Sequence, residues 1–368
     1  MGLLVASVLA GSADRGSWSL WERYAERFIS GDGRVVEQGP GSRTTSGGQA
    51  YALFFALVAG DRATFDRLLL WTEDNLAQGD LARSLPAQQW GRAESRGSWG
   101  VLDASSAADA DLWLAYSLLE AGRLWNAPDY ARKATAVLSL MDEREVADLP
   151  GLGPMLLPGP EGFEVEKGRA WRLNPSHLPP QLLRRLASVG VGGRWGQILA
   201  SAGRLQRTLA KRGLAPDWIL YRTGAGFEDD PIGGTQGSHD AIRVYLWSAT
   251  LSRRDPLWAS WLESTRGLTP FCSGADTVPE QIDVRSGLSS GRGPPGFTAV
   301  ALVQAAARGE RGLTERLARR LQSTRRDGLF GEPPAHYDQN LALFALGHRE
   351  SRYRFAADGR LVTAWERR

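Results

Sequence analysis

Two carboxylates, Asp109 and Asp111, open an otherwise apolar run from Ala107 to Trp125. A helix start of this kind can aim an acidic side chain into a cleft, where it could bind a ligand or handle a proton. The rest of the helix remains free to pack. A plainer alternative is that acids collect there because the positive end of the helix dipole favours them. Asp111 lies two residues further on, faces elsewhere, and is expected to be structural, satisfying backbone groups. A second acidic helix start reads Ser238-His239-Asp240, with Arg243 one turn on. His239 beside Asp240 would suit a metal, but no third or fourth ligand is evident. The histidines are only His177, His239, His336 and His348, without a His-x-x-x-His pair, so neither metal nor cofactor is expected. No phosphate-binding glycine loop follows a strand.

The 368 residues, 42% of them hydrophobic, are enough for a large core. The net charge is +3, with lysine only at Lys133, Lys167 and Lys211. The arginines are spread through every segment rather than clustered on one helix or arm, so no nucleic-acid face is expected. Cys272 is the single cysteine, which excludes an internal disulfide and a cysteine-based zinc site. Residues 1–13 read as an apolar export-signal core followed by small residues, without the positive start such signals carry. No other segment is apolar for long enough to span a membrane.

Apolar spacing predicts helices throughout, near 17–30, 46–59, 61–77, 105–121, 127–143, 178–189, 194–212, 239–251, 255–266, 295–308, 312–323 and 336–347. Phe65, Leu68, Leu69, Thr72 and Leu76 share one face of the third. Thr45 and Ser46 can cap the second, which Gly60 follows; Gly122 is read as closing the fourth; Pro179 and Pro180 suit the first turn of the sixth. About twelve helices suit six hairpins closed into a toroid. Four long connections rich in Gly, Pro and Trp (78–104, 144–177, 213–238 and 267–294) would gather at one end and wall a cleft. Tyr353 to Val362 reads as a terminal β-hairpin with Asp-Gly at its turn. Residues 17–366 are taken as one domain.

From about Trp18 to Trp365 the chain resembles glycoside hydrolase family 8, nearest to the periplasmic endoglucanases encoded with bacterial cellulose synthase. The matching stretches run in one order. They are Gly33-Arg34-Val35-Val36, Thr44-Thr45-Ser46-Gly47-Gly48-Gln49, Leu70-Trp71-Thr72-Glu73, the Asp109 run, Pro150-Gly151-Leu152-Gly153, Trp171-Arg172-Leu173-Asn174-Pro175-Ser176-His177, Ser238-His239-Asp240-Ala241-Ile242-Arg243 and Gly291-Arg292-Gly293-Pro294. The resemblance implies an all-α fold, an (α/α)6 barrel with an open cleft for a β-1,4-glucan chain. It also implies inverting endo-1,4-β-glucanase activity, a functional link to cellulose synthesis, and a periplasmic or secreted location. Inversion uses two carboxyl groups, one protonating the leaving oxygen and one activating a water on the opposite face. The resemblance puts the general base at Asp240, with Arg243 keeping it charged; a helix-capping aspartate paired with arginine is the alternative. It gives Asp109 the task of gripping the sugar at the bond to be cut. Among the 14 tryptophans, Trp90 and Trp171 in the cleft loops are expected to be sugar platforms, Trp99 less so. Trp21, Trp71, Trp113, Trp125, Trp247, Trp258 and Trp261 are expected to be packing.

Three positions depart from the family pattern. Gly47 stands where the family has its general acid glutamate, and glycine cannot donate a proton. His177 replaces a tyrosine near the base and either hydrogen-bonds there or is a loop histidine without a catalytic part. Ala108 replaces a small hydroxyl residue beside Asp109. Glu94, Glu164, Glu166 and Glu280 lie in the long loops, none at the family's acid position, and are expected to be solvated charge. A second reading is therefore a non-hydrolytic or strongly weakened glucan-binding homologue. Hydrolysis of xylan or chitosan is a third.

Overall fold

The computed structural model describes residues 17–37, 42–93, 97–190, 194–274 and 277–366. The signal-like run 1–13 and Glu94 lie outside the described residues. Six helices form an inner ring: α2 (Ser46–Ala59), α4 (Ala108–Leu124), α6 (Pro180–Val189), α8 (Ala241–Thr250), α11 (Pro295–Arg308) and α13 (His336–Arg349). Each packs on the next and α13 closes on α2. Outside them lie α1 (Ser19–Phe28), α3 (Arg62–Leu76), α5 (Pro128–Arg144), α7 (Trp195–Ala210), α9 (Trp258–Glu263) with α10 (Leu268–Ser273), and α12 (Arg311–Ser323). The result is an (α/α)6 barrel.

The two rings follow from the side chains. All of α8, and α2 apart from Gly47 and Ala59, is buried, as a helix apolar on every face must be. Outer helices bury only a stripe: α12 hides Leu313, Leu317 and Leu321 and turns its arginines outward. In α3 the expected face of Phe65, Leu68, Leu69, Thr72 and Leu76 is buried. Phe54, Trp113, Trp247 and Phe344, from four inner helices, meet ring to ring at the barrel axis.

Local signals set most ends. Thr45 caps α2 by accepting the Gly48 N–H, and Gly60 ends it in the left-handed region. Pro180 occupies the first turn of α6. Gly122 does not close α4, which continues to Leu124. A side chain on Gly122 would sit 3.0 Å from Ala131, so it is small because α4 and α5 cross closely there. The helix α10 falls inside the connection expected to be irregular from 267 onward. The terminal hairpin pairs Tyr353–Phe355 with Leu361–Thr363.

The long connections carry short antiparallel strands. Gln89–Arg92 pairs with Thr44–Thr45 and with Trp99–Asp103. Glu164–Glu166, Ala170–Leu173, Ile219–Arg222 and Gly226–Asp229 form a four-stranded sheet. No helix among the described residues is long and apolar enough to cross a membrane.

Candidate active site

The N-terminal ends of α2, α4 and α8 bring Gly47, Asp109 and Asp240 to one place. With loop residues Gln88, Ser106, Glu161, Phe163, Asn174, His177 and Trp218, they line a cleft of about 380 Å³. An adjoining hollow of about 360 Å³ shares Thr45, Gly47, Asp109 and Arg243 and extends to Glu37, Tyr51 and His336. A larger hollow, about 690 Å³, lies at the opposite ends of α8, α11 and α13, among Arg253, Arg254, Arg349 and Arg354. It presents no carboxylate, and its cations sit where helix C-termini favour them.

Arg243 organises the carboxylates. Its Nη1 donates to Asp109 Oδ2 at 2.6 Å and to the Tyr51 hydroxyl at 3.1 Å, and its Nη2 donates to Asp240 Oδ1 at 2.7 Å. The guanidinium is buried. Burial alone would lower its pKa, but Tyr51, Asp109, Tyr337 and Asp240 outweigh that and lock the charge on. For Asp109, burial pushes the carboxyl up, while His177, Arg243 and the Ala110 N–H pull it below the usual carboxylate range. His177 Nε2 is 3.6 Å from Asp109. Burial lowers the His177 pKa against the pull of Asp109, so the ring is neutral near pH 7 and Arg243 supplies the fixed charge.

Asp240 precedes the first helical residue of α8, yet its side chain caps nothing. That work falls to Asp217. Asp217 Oδ1 accepts the Ser238 and Ala241 N–H groups at 2.8 and 2.7 Å, and Oδ2 accepts the Ser238 hydroxyl at 2.6 Å. The Asp240 carboxylate is therefore free to face the cleft, which removes the helix-capping alternative. The sequence hint for Asp217 was weak: one acid between Pro216 and Trp218 in a long loop.

Asp111 is fully buried, but no backbone donor reaches its oxygens, contrary to the expected role. It lies against Glu145, which accepts the Ser106 hydroxyl at 2.5 Å. Burial pushes both carboxyls up, so the pair retains a proton beneath the cleft.

The aromatic expectations need correction. Trp171 is only 4% exposed and leans on Tyr221, so it is wall filling and cannot offer a face. Strand pairing turns it inward: it sits opposite Tyr221 in the four-stranded sheet. Trp90 lies beside the cleft rather than in it. It is half-buried on Trp71, stacked on Trp99 and topped by the Arg34 guanidinium at 4.5 Å. Trp99 is the more open ring of that stack, 51% exposed. Within the cleft the flat surfaces are Phe163 and Trp218, parallel to within 6° with centroids 5.9 Å apart. Trp218 is also faced by Arg172 at 4.6 Å. Neither ring was singled out, because each is a lone aromatic in an irregular loop without periodicity to mark it.

Gly47 is the second residue of α2. A side chain added there would meet nothing within 4 Å, and its backbone is not in the left-handed region. Glu164, Glu166 and Glu280 do not line either hollow. Among the described residues no cluster of three or more His, Cys, Asp or Glu is placed to hold a metal.

The family model for glycosyl hydrolases family 8 matches residues 1–351. The chain belongs to that family. It is 46% identical to an endoglucanase of Xanthomonas axonopodis pv. citri (strain 306), over 99% of this chain and 93% of the relative. It is 40% identical to an endoglucanase of Salmonella typhi, over 95% of this chain and 91% of that one. The crystal structure of an endo-1,4-D-glucanase from Vibrio fischeri ES114 superposes with a TM-score of 0.85 at 38% identity. That match covers 95% of this chain and 99% of the other. The membership makes this chain a glycoside hydrolase by descent, with a glycine where the resemblance places the acid.

Proposed function

We propose that the cleft binds a β-1,4-glucan chain and acts on it as an inverting endo-1,4-β-glucanase. The carrying observation is the Arg243 bridge: one buried guanidinium holds Asp109 and Asp240 together at the floor of an open cleft. Asp240 is the general base, taking a proton from the water that attacks the anomeric carbon. Asp109, held charged, accepts hydrogen bonds from hydroxyls of the sugar at that carbon. Phe163 and Trp218 offer flat faces to the apolar side of sugar rings. Action on cellulose in particular is supported by the endoglucanase relatives. Placement outside the cytoplasm and a tie to cellulose synthesis rest on the family resemblance, with the 1–13 run in favour of export.

The open space at Gly47 favours a second reading, a glucan-binding protein without hydrolysis. Loss of a general acid costs roughly 10²–10⁴-fold in rate. The two readings separate on reducing-sugar release from carboxymethylcellulose, run beside calorimetry with cellohexaose. The first expects binding together with measurable release, raised by Gly47→Glu. Binding with no release from the native chain would leave only the second. Absence of binding by both chains would remove both.

A further inference from the structure

The Gly47 hollow holds one carboxyl group that the Arg243 cluster does not claim. Only Glu37 and Asp109 are acidic among its lining residues, and Asp109 is bound to Arg243 and charged. Glu37 is firmly placed. Its N–H donates to the Arg43 carbonyl at 2.8 Å, and Val36 donates to the Phe28 carbonyl at 2.8 Å. Two residues earlier, buried Gln49 of α2 accepts the Val35 N–H at 2.6 Å and donates to the Gly33 carbonyl at 3.2 Å. Gly33 has φ of +96° and would clash with the Arg67 carbonyl if it carried a side chain. The segment leading to Glu37 is thus clamped to the helix that carries Gly47.

The hydrogen bonds also orient the carboxyl. Thr45 accepts the Gly48 N–H at 3.1 Å, so its own proton goes to Glu37 Oε1, at 2.7 Å. Among the described residues Oε2 has no partner, so it is open toward the hollow's contents. The groups facing Glu37 are few. His336 Nδ1 is 3.7 Å away, and burial holds that ring's pKa down to about 4, so it stays neutral. His336 Nε2 meets the Tyr24 hydroxyl at 2.8 Å. Burial raises the Glu37 pKa, with Thr45 and Arg43 pulling the other way. Glu161, the other cleft glutamate, is exposed, and among the described residues no hydrogen bond or ion pair fixes it.

We propose that Glu37 supplies the leaving-group proton in place of the side chain missing at Gly47, an inference that rests on the glucanase reading above. In that step the proton on Glu37 Oε2 passes to the glycosidic oxygen. The bond from that oxygen to the anomeric carbon breaks, its electron pair staying on the oxygen, which departs as a hydroxyl. The water oxygen bonds to the anomeric carbon and its proton passes to Asp240. Glu37 ends as carboxylate and Asp240 protonated, and exchange with solvent restores both.

The test compares the native chain, Glu37→Gln, Gly47→Glu and the double variant on carboxymethylcellulose and on 2,4-dinitrophenyl β-cellobioside. The latter has a leaving group that needs no proton. Cellohexaose calorimetry on every variant reports folding and binding. Glu37→Gln is expected to lower kcat on carboxymethylcellulose by roughly 100-fold or more, with cellohexaose affinity within about twofold. The aryl substrate loses far less, and the double variant regains the rate of Gly47→Glu. The alkaline limb of the native kcat profile is expected to disappear in Glu37→Gln. Unchanged kcat in Glu37→Gln, or equal losses on both substrates, overturns the proposal. A native chain that binds cellohexaose but releases no sugar overturns it while leaving glucan binding in place. A native chain and Gly47→Glu that both fail to bind overturn the glucanase reading beneath it.

Discussion

The two walls of the cleft are built on opposite plans. On one, Arg243 ties Asp109, Asp240 and Tyr51 into a buried cluster whose charges are fixed. On the other, Thr45, Glu37 and His336 surround an open space at Gly47, and among the described residues the only cation acting on Glu37 is the solvent-side Arg43. A base must be ionised and an acid must hold its proton, so chemistry at a glycosidic bond needs such unequal surroundings. The charged wall keeps what a base requires. The open wall has a glycine where the family resemblance expects a helix-borne acid, and a partly buried carboxyl, Glu37, lies beside it. Each prediction below breaks one wall and leaves the other standing.

The largest effect belongs to the charged wall. Asp240→Asn removes the proton acceptor of the proposed reaction while keeping size and shape. Sugar release, in the native chain and on the Gly47→Glu background, is expected to fall roughly 10²–10⁴-fold. Because Asp217, not Asp240, caps α8, unfolding midpoints should stay close to those of the parent chains. A loss of stability as large as the loss of rate would show that Asp240 is structural after all.

Arg243→Met tests the cluster as a unit. Removing the cation leaves Asp109 buried without its counter-charge, a change that costs about 3–5 kcal/mol in comparable buried pairs. Urea unfolding at pH 7 measures it. The pH dependence carries the sign. In the native chain Asp109 is depressed below its unfolded value of about 3.9. Its stabilisation is therefore present above about pH 4 and is lost as pH falls through the lower, folded pKa. Without Arg243 the carboxyl keeps the pull of His177 and the Ala110 N–H but loses that of the cation, so its pKa rises from the native position. The variant's deficit relative to the native chain is therefore expected to narrow as pH falls from 7 into the acid range. A destabilisation that stays constant over that range would mean Arg243 acts by packing alone.

The contrast between the walls also explains what was legible in the sequence. The barrel was, because apolar spacing marks about twelve helices in one chain, a count that suits six hairpins in a toroid; which helices are inner, apolar on every face, is seen only once they are packed. Asp109, Asp240 and Arg243 were singled out because each lies at a helix start, and the structure brings them together; the roles expected of them came from the family resemblance. The loops were not. Trp171 lies within one strand of the four-stranded sheet and Trp218 just before another, yet one is wall filling and the other faces the cleft. Only strand pairing decides between them, and pairing partners lie about 50 residues apart in the chain, as for Trp171 and Tyr221. Asp217 and Glu37 were missed for a related reason. Their roles come from backbone hydrogen bonds that fix a loop, and composition does not record those. The overlooked tenth helix is only six residues long, below the length at which apolar spacing distinguishes a helix from a loop.

The smallest effect separates two neighbouring glycines on the open wall. At Gly47 an added methyl meets nothing within 4 Å, while at Gly48 it would stand 3.0 Å from His336 Cε1 and 3.2 Å from Thr45 Oγ1. Both have ordinary helical backbones, so an alanine at either reduces the freedom of the unfolded chain by a similar amount. Gly47→Ala is therefore expected to raise stability by about 0.4–1 kcal/mol. Gly48→Ala should fall short of that gain or reverse it, because His336 is held by Tyr24 and cannot yield freely. Paired urea melts of the two variants read the difference directly. Equal effects would mean that the space beside Gly47 is no larger than that beside Gly48. The open wall would then have no room for the proton donor that Gly47→Glu is meant to restore.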